Sequence, residues 1–290
     1  MLSIAIPKGS LEEQTLLLFS QADLQIKKSS RQYNPVIDDP RIDKVKILRP
    51  QEIPTYVSEG YFDLGISGLD CITEAEADVI EVADMPYAKT GTGKLKMVIA
   101  VPDDSPIEKP ADIPAGSRVS AEFPKTAQKY FDKLGIPVEI FFSYGATEAK
   151  VPELMDVIVD LTETGQTLRR NQLKIIGVIM ESTTKLIAHK EAWADPEKRQ
   201  SIEEIKTLLL GVIEARGKVH LMMNVPKDRL EEVISALPAM KRPTVNQLYD
   251  SHYLEVSTVV EKAGVNLLLP QLKARGAEDI LEMEISKIIK

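Results

Sequence analysis

EAKVPELMDVIVDLTETGQTL, residues 148–168, is the most informative segment of the sequence. Its apolar run DVIVDL has Asp160 next to last and passes directly into a hydroxyl-rich turn that contains Gly165. A buried strand of this kind brings the chain to the carboxyl edge of a sheet. There, glycine lets the backbone approach an anion, and a following helix start offers unpaired N–H groups. The pattern indicates a phosphate site, with Asp160 placed to accept hydrogen bonds from ribose hydroxyls. Taken alone, Thr-Gly-x-Thr is also typical of an ordinary helix N-cap and turn.

Strand and helix patterns alternate through the first part of the chain, which predicts an α/β sheet with crossover helices. In the first lobe we expect a helix capped by Ser10 and another over residues 50–59, between the strands LSIAI, KVKIL and FDLGIS. The glycine-rich segment KTGTGK (89–94) marks a crossing into a second lobe, which holds KLKMVIAVP, RVSA, PKTAQKYFDKLG, PVEIFF and DVIVDL. LKIIGVIM and TKLIAHK then return as strands toward the first lobe. Two lobes joined by two crossings enclose a cleft.

A long amphipathic helix at about residues 194–215 leads into a tail whose pattern spells β-α-β-β-α-β. Its segments are KVHLMMNVP, DRLEEVISAL, the loop KRPTVNQLYD, YLEVSTVVE, NLLLPQLKARG and EDILEMEISKII. This order is typical of the ferredoxin-like split β-α-β fold. We therefore expect lobe I over 1–90 and 182–210, lobe II over 91–181 and a third domain over 211–290.

The composition is consistent with a soluble metabolic enzyme and argues against a nucleic-acid-binding or membrane protein. With 290 residues and 43% hydrophobic residues the chain is long enough for two or three domains. Its net charge of −8 argues against a broad basic face for nucleic acid. No apolar run approaches the length of a membrane span, and the start lacks a basic leader, so we expect a cytoplasmic protein.

Other common chemistries lack sequence support. The single cysteine, Cys71, has no partner for a disulfide or a zinc site, and it is interpreted as a small buried residue. Neither the H-E-x-x-H pattern of zinc peptidases nor the G-x-S-x-G elbow of serine hydrolases occurs.

Residues 145–168 resemble the signature region of the ATP phosphoribosyltransferases, the first enzymes of histidine biosynthesis. That signature has a Glu, an apolar strand ending in Asp, and Thr-Gly-x-Thr-Leu, matched here by Glu148, Asp160, Thr164, Gly165, Thr167 and Leu168. IAIPKGSL (4–11) resembles the opening strand of the family, and RPQEIPTYVSEGYFDLGISGLD (49–70) resembles its second motif. The tail resembles the regulatory domain of the long form. Two stretches depart from the family pattern: Pro152-Glu153-Leu154, and 122–131, where no role is transferred to Phe123 or Lys125.

This resemblance implies a two-lobed, periplasmic-binding-protein-like catalytic region followed by a ferredoxin-like domain that binds histidine. It also implies the reaction, in which N1 of the ATP adenine displaces pyrophosphate from phosphoribosyl pyrophosphate. The expected cofactor is Mg²⁺, held through pyrophosphate and water rather than by protein ligands. The expected partners are ATP, phosphoribosyl pyrophosphate, histidine as inhibitor, and further copies of the chain in dimers and hexamers.

Residue roles follow from the matched motifs. The candidate catalytic residues are Lys8 and Arg49, which would neutralise phosphates, and Asp160, which would orient the ribose. The candidate substrate-binding residues are Gly9, Gly68, Asp70, Glu148, Thr162, Thr164, Gly165, Gln166, Thr167 and Leu168. Ordinary structural roles stay open: a surface lysine for Lys8, a surface ion pair for Arg49, a helix cap for Asp70 and a solvated helix residue for Glu148. Gly68 and Asp70 are expected on the nucleotide side of the cleft.

In the tail, the candidate histidine-binding residues are Asn224, Thr244 and Ala277, at adjoining ends of the split sheet. Asn224 and Thr244 are equally ordinary turn residues. Two other functions remain open at this stage. One is a small-molecule sensor without catalysis, which would have the same architecture. The other is a phosphoribosyltransferase that uses a base other than ATP.

Overall fold

The computed structural model describes residues 1–28, 34–87, 94–238, 242–249 and 252–290. They divide into two units, Met1–Lys206 and Thr207–Lys290. Among these residues no helix is both long enough and apolar enough to cross a bilayer.

The first unit alternates strands and helices, as the sequence predicts. Its elements are β1 (Leu2–Pro7), α1 (Glu12–Gln21), β2 (Ile26–Lys27), β3 (Val36–Ile37), β4 (Ile42–Leu48), α2 (Ile53–Ser58), β5 (Leu64–Gly68), α3 (Leu69–Ala75), β6 (Ile80–Asp84), β7 (Lys94–Pro102), β8 (Arg118–Ala121), α4 (Pro124–Leu134), β9 (Glu139–Phe142), β10 (Val157–Thr162), α5 (Gln166–Arg170), β11 (Leu173–Ala188), α6 (Lys190–Ala194) and α7 (Pro196–Ala215). Two short 3-10 helices, Pro110–Asp112 and Thr147–Lys150, lie in the second lobe.

The strand order is the same in the two lobes. In lobe I the order is β4-β1-β5-β11, with β6 also paired to β11, and in lobe II it is β9-β8-β10-β7-β11. The first three strands of each order run parallel, and the later pairings are antiparallel. Each lobe thus receives one strand that comes from the other, which is the two-lobed arrangement of periplasmic binding proteins that the resemblance implies.

Apolar strands and an amphipathic helix build the core of lobe II. The centres of β7 and β10 are fully buried, and α4 packs Ala127 and Phe131 against the sheet. Helix α4 begins with Pro124 in its first turn and ends at Gly135, whose φ of 71° allows the left-handed C-cap. These signals explain why the sequence predicts this helix correctly.

Several local predictions for the first unit are wrong. Helix α1 has Leu11 rather than Ser10 at its N-cap position, and no side chain caps it. The two strands predicted in LKIIGVIM and TKLIAHK are one strand, β11, of 16 residues. Its pairing with β7 shifts register near Gly177, which breaks the alternation of buried and exposed residues. Residues 89–93 of the predicted crossing segment lie outside the described residues.

The second unit has the predicted β-α-β-β-α-β order. After the end of α7 it contains β12 (Lys218–Pro226), α8 (Leu230–Ala236), β13 (Thr244–Gln247), β14 (Tyr253–Glu261), α9 (Lys262–Ala274) and β15 (Glu278–Glu284), with a 3-10 turn at Lys227–Arg229. The described strands pair in the order β13-β14-β12-β15, all antiparallel. This is the ferredoxin-like topology. One part of the expectation is wrong, because β13 lies inside the segment KRPTVNQLYD that was assigned to a loop.

The carboxyl ends of several strands position the candidate site. Lys8 follows β1, Arg49 follows β4 and Gly68 ends β5, while Glu122 follows β8 and Asp160 lies near the end of β10. In α/β sheets, ligands bind at such carboxyl ends. Both lobes therefore contribute side chains to one region.

Candidate active site

Asp160 is held by two hydrogen bonds near the end of β10, which continues two residues further to Thr162. The hydroxyl of Thr147 donates to Oδ2, and the backbone N–H of Leu161 donates to Oδ1 at 2.7 Å. Burial raises the pKa of Asp160 above its usual value, although the two hydrogen bonds act in the opposite direction. A fixed, half-buried carboxylate of this kind is suited to receive hydrogen bonds from a sugar.

The loop after β10 is organised around Gly165. Its φ of 70° is left-handed, and a Cβ there would lie 3.2 Å from Nη1 of Arg169 and from Cδ1 of Ile175. The N–H of Gly165 donates to the Thr162 hydroxyl at 2.8 Å, and the N–H of Gln166 donates to the Thr164 hydroxyl at 3.4 Å. These hydrogen bonds within the loop fix its shape.

Two further residues of the signature have defined positions beside this loop. Thr167 accepts at its carbonyl a 3.0 Å hydrogen bond from the Asn171 side chain. The Leu168 side chain is buried in an apolar cluster with Val98 and Ile158, so only its backbone could contribute to substrate binding. Helix α5 has only five residues, so its dipole adds less than the sequence pattern suggests.

Asp70 is buried in α3 and does not cap it. The N-cap position of α3 belongs to Gly68, and no side chain caps the helix there, so the capping interpretation of Asp70 is wrong. Instead, the Ser182 hydroxyl on β11 donates to Oδ1 of Asp70 at 2.5 Å. A Cβ on Gly68 would lie 2.2 Å from that same oxygen, which explains why glycine stands there.

Lys8, Gly9 and Arg49 lie at neighbouring strand ends of lobe I. The backbone N–H of Lys8 donates to the carbonyl of Leu48 at 2.7 Å, which sets its turn beside the residue before Arg49. Gly9 adopts a φ of 91°, a conformation that favours glycine. Both charged side chains are at the carboxyl edge of the sheet, where phosphate groups would approach.

Two adjoining cavities occupy the cleft between the lobes. The larger has a volume of about 640 Å³ and is lined, among others, by Arg49, Glu74, Phe142 and Tyr144. The smaller, of about 320 Å³, is lined by residues from both lobes that include Ser10, Gly68, Asp70, Leu161, Glu163 and Ser182. Gly68 and Asp70 therefore face the same cavity as the loop after β10.

Two charged residues of the cleft were missed by the sequence interpretation. Burial raises the pKa of Glu122, and the nearby Asp160 raises it further, while Lys150 opposes both effects. The Lys150 ammonium donates to the buried hydroxyls of Ser143 at 2.5 Å and Ser120 at 3.3 Å. The signal for Glu122 was its position directly after a buried strand, the same signal that identified Asp160.

The described residues contain no group of three or more His, Cys, Asp or Glu side chains arranged to hold a metal ion. Asp160 and Glu148, which influence each other electrostatically, are carboxylates beside the loop after β10. Such a donor set fits a cation that arrives already coordinated by phosphate and water, since Mg²⁺ usually binds through one or two carboxylates plus substrate phosphates.

In the second unit, the three candidate effector residues lie at different points of the sheet. Thr244 lines a cavity of about 550 Å³ with His220, Arg242 and the C-terminal residues 288–290. Asn224 lies within β12, paired with Glu278, and its side-chain amide donates to Asp279 at 2.9 Å. Ala277 is buried directly before β15. Asn224 and Ala277 lie near adjoining ends of β12 and β15, and Thr244 is the first residue of β13.

Comparisons with known proteins identify the family of this chain. The family model described as ATP phosphoribosyltransferase matches residues 49–211, and the one described as HisG, C-terminal domain, matches residues 215–287. An ATP phosphoribosyltransferase of Pelotomaculum thermopropionicum is 47% identical over 288 residues, covering 99% of each chain. That of Solibacter usitatus is 46% identical over 289 residues, covering 100% of this chain and 99% of the relative.

A solved structure gives the same result at the level of the fold. The ATP phosphoribosyl transferase (HisG:HisZ) complex from Thermotoga maritima contains a chain that is 29% identical, with a TM-score of 0.63. The match covers 74% of this chain and 99% of that one. Two matched family models in the expected order, together with relatives of nearly equal length, account for both units. The chain therefore belongs to the ATP phosphoribosyltransferase family, in the long form that carries a C-terminal domain.

Proposed function

We propose that the cleft between the two lobes is where this chain performs the reaction of its family. That reaction transfers the phosphoribosyl group of phosphoribosyl pyrophosphate to N1 of ATP, releases pyrophosphate and begins histidine biosynthesis. The observation that carries the proposal is the convergence of both lobes on two adjoining cavities. Leu161 and Glu163, which lie between Asp160 and the glycine turn, line one of them, and Arg49 lines the other.

Phosphoribosyl pyrophosphate occupies the smaller cavity, and Gly68 and Asp70, which also line it, are proposed to lie on the side toward the nucleotide. The backbone and hydroxyls of Thr162 and of residues 164–168 bind its 5′-phosphate, and Asp160 receives hydrogen bonds from the ribose. Glu148, which lies close enough to raise the pKa of Asp160, binds the ribose or a metal-bound water. Gly165 allows the close backbone approach that a phosphate needs, because glycine has no side chain and tolerates the left-handed conformation found here.

ATP occupies the larger cavity. Arg49 lines this cavity, and Lys8 with Gly9 lies at the adjacent strand end, so positive charge is available where two polyphosphates meet. This local charge is needed because the chain as a whole carries a net charge of −8. An arginine can clamp a phosphate with two parallel hydrogen bonds, whereas a lysine acts as a point charge.

Mg²⁺ would be held mainly through pyrophosphate and water, beside the carboxylates of Asp160 and Glu148. When bound, it neutralises charge that develops on the leaving pyrophosphate. The protein residues then have three tasks: they bind the two reactants, orient the sugar toward the adenine ring, and keep bulk water out. Orientation and electrostatic stabilisation of this kind supply the catalysis, since a displacement at a sugar carbon requires little proton transfer.

The C-terminal unit is proposed to bind histidine and to inhibit the enzyme. Asn224, Thr244 and Ala277 are the proposed contacts, and inhibition accompanies a change between dimer and hexamer. We also place the protein in the cytoplasm. The limits of the three domains, 1–90 with 182–210, 91–181 and 211–290, belong to the same proposal.

One assay separates this function from its alternatives. The full chain is incubated with phosphoribosyl pyrophosphate, Mg²⁺ and either ATP or another purine acceptor, and pyrophosphate release is measured. We expect release with ATP. A sensor without catalysis would release none with any acceptor, and a different phosphoribosyltransferase would prefer another base.

A further inference from the structure

Glu122 stands where the two cavities of the cleft join. Four residues line both cavities: Gln51, Cys71, Glu122 and Phe123. Gln51 and Phe123 carry no charge, and burial raises the pKa of the Cys71 thiol, which keeps it neutral. Glu122 is therefore the one charged group, among the residues that the structure describes, that borders both spaces. Two reactants that occupy these cavities must form their bond beside it.

The carboxylate of Glu122 has no hydrogen-bonding partner and no ion-pair partner among the described residues. Lys150 is the nearest cation in electrostatic terms, but its ammonium is held by the hydroxyls of Ser143 and Ser120. Half-buried carboxylates are normally hydrogen-bonded or paired, because their burial is otherwise unfavourable. The oxygens of Glu122 are thus available to a ligand in the cleft.

The surroundings of Glu122 favour a cationic partner. Asp160 on β10, Asp70 on α3 and Glu148 in the 3-10 helix all raise its pKa, and only Lys150 lowers it. Arg49 and Lys125 line the larger cavity, where polyphosphate charge would meet them. The join itself thus carries excess negative charge, which is unsuited to a phosphate but suited to a group that becomes positive during the reaction.

We propose that Glu122 is a catalytic residue that accepts a hydrogen bond from the exocyclic amino group of the adenine ring as its N1 attacks the sugar. This inference rests on the proposed function, since it requires a purine acceptor in one cavity and phosphoribosyl pyrophosphate in the other. It adds a residue to which the family signature, as it is matched here, gives no role.

The chemistry balances without another reactant. The lone pair of N1 forms the new bond to the anomeric carbon, and the bond from that carbon to pyrophosphate breaks, with its electron pair leaving on the pyrophosphate oxygen. The adenine ring then carries a positive charge shared by N1 and the exocyclic nitrogen. Glu122 accepts a hydrogen bond from that nitrogen, and the proton released later from the amidinium passes to Glu122 or to water.

Such an interaction is stronger in the transition state than in the ground state. Before the reaction the amino group is neutral, and both burial and the repulsion of nearby carboxylates destabilise the charged form of Glu122. As positive charge develops on the adenine ring, the attraction between the ring and Glu122 offsets that repulsion. An interaction that strengthens along the reaction in this way raises kcat rather than lowering KM.

The test compares Glu122→Gln with wild type, using two acceptors that differ only in the amino group. With ATP we expect kcat to fall about 10-fold or more, the loss typical of a hydrogen bond to a charged group. With purine riboside 5′-triphosphate, which keeps N1 but has no amino group to donate, the substitution should change kcat by no more than about twofold. Equal losses with the two acceptors, or no loss with ATP, would overturn the proposal.

Glu139→Gln is the matched control. Glu139 is an exposed glutamate in the same lobe, on β9, and lines neither cavity. This variant should match wild type with both acceptors. If wild type releases no pyrophosphate with ATP, the proposed function itself fails. If wild type is active and Glu122→Gln is indistinguishable from it, only the role of Glu122 fails.

Product affinity and unfolding temperature test the role of Glu122 even if purine riboside 5′-triphosphate reacts too slowly to be measured. The product, phosphoribosyl-ATP, carries the cationic adenine, so Glu122→Gln should bind it more weakly than wild type at neutral pH, and the difference should shrink in alkali as the cation loses its proton. In addition, Glu122→Gln should unfold at the same temperature as wild type or higher, because it removes an unpaired half-buried charge. Equal product affinity at every pH, or a lower unfolding temperature with unchanged product affinity, would indicate a structural role instead.

Discussion

Thr147 donates its hydroxyl hydrogen to the carboxylate of Asp160, across a sequence separation of 13 residues. Thr147 is 1% exposed, so this hydrogen bond lies inside the protein. It joins the 3-10 helix that carries Glu148 to the strand that carries Asp160, the two acidic positions of the signature. The bond therefore fixes one candidate ribose ligand relative to the other.

Replacing Thr147 by valine keeps the volume of the side chain and removes the donor. We expect the pKa of Asp160 to rise further, since the hydroxyl is one of the groups that hold it down. Asp160 is ionised above its raised pKa and loses its charge as the pH falls through that pKa. The acid limb of kcat/KM for phosphoribosyl pyrophosphate should therefore move to higher pH in Thr147→Val, with a loss of about 10-fold at pH values near that limb. Thr147→Ser keeps the donor and should retain the wild-type profile; identical profiles for all three proteins would contradict this role.

Ser182→Ala should destabilise the first unit. Ser182 donates to the buried carboxylate of Asp70 at 2.5 Å, and its oxygen accepts from the Asp70 N–H at 3.1 Å. Removal of one partner leaves a buried charge less well satisfied, which costs about 1–3 kcal/mol in the free energy of unfolding. Urea unfolding measures this loss. Ser201→Ala removes only an exposed hydrogen bond to Glu197 and should cost less than about 0.5 kcal/mol; similar losses in the two variants would show that Asp70 does not depend on Ser182.

The environment of Asp63 in lobe I should make the free energy of unfolding depend on pH. It accepts hydrogen bonds from the N–H of Ser3 at 2.8 Å, from its hydroxyl at 2.9 Å and from the Lys198 ammonium at 2.8 Å. Burial would raise the pKa of Asp63, but these donors outweigh it, and the net pKa lies below the usual value. A lowered folded-state pKa stabilises the protein above the unfolded value, and that stability is lost as the pH falls through the folded pKa.

We therefore expect Asp63→Asn to lower the free energy of unfolding by about 1–2 kcal/mol at pH 7. The gap between the variant and wild type should close only below about pH 4, where the unfolded aspartate gains its proton. Urea unfolding at several pH values measures the gap. Asp43→Asn, on the neighbouring strand β4, is the control, since Asp43 is exposed. A gap that stays constant from neutral to acid pH would contradict the assignment of this stability to the Asp63 charge.

Thr244 provides the test of the regulatory proposal. Thr244→Val should weaken inhibition by histidine by about 10-fold if the hydroxyl contacts the effector, with kcat unchanged. Thr244→Ser keeps the hydroxyl and should preserve inhibition. An unchanged inhibition constant in Thr244→Val would remove Thr244 from the effector site, and Asn224 would then be tested in the same way.

Much of the fold follows from the sequence, for physical reasons that particular segments show. The strand β10 is an apolar run ended by a glycine turn, and α4 has proline in its first turn and Gly135 after its last. Both have a hydrophobic pattern, with a signal at each end of α4 and at the carboxyl end of β10. The same signals placed Asp160 and the loop that follows it.

The failures have equally local causes. Register shifts around Gly177 interrupt the alternation of β11, so one strand resembled two. The edge strand β13 is exposed along its whole length and therefore lacks an apolar pattern. Ser10 and Asp70 are good capping residues by type, but tertiary contacts decide their use: Asp70 is bound by Ser182, which no local pattern could predict. The join position of Glu122 is likewise visible only when both lobes are folded.

The most direct measurement of the central claim is the affinity for phosphoribosyl pyrophosphate, in the presence of Mg²⁺, of Gly165→Ala and Gly116→Ala. Both glycines have a left-handed φ, 70° and 81°, so alanine strains each backbone by about 1–2 kcal/mol. Only Gly165 lies in the loop after β10, while a Cβ on Gly116 would meet nothing within 4 Å. Calorimetric titration should show at least about 10-fold weaker binding of phosphoribosyl pyrophosphate to Gly165→Ala, with wild-type affinity in Gly116→Ala. Wild-type affinity in Gly165→Ala, or equal weakening in the two variants, would contradict the assignment of the phosphate site to this loop.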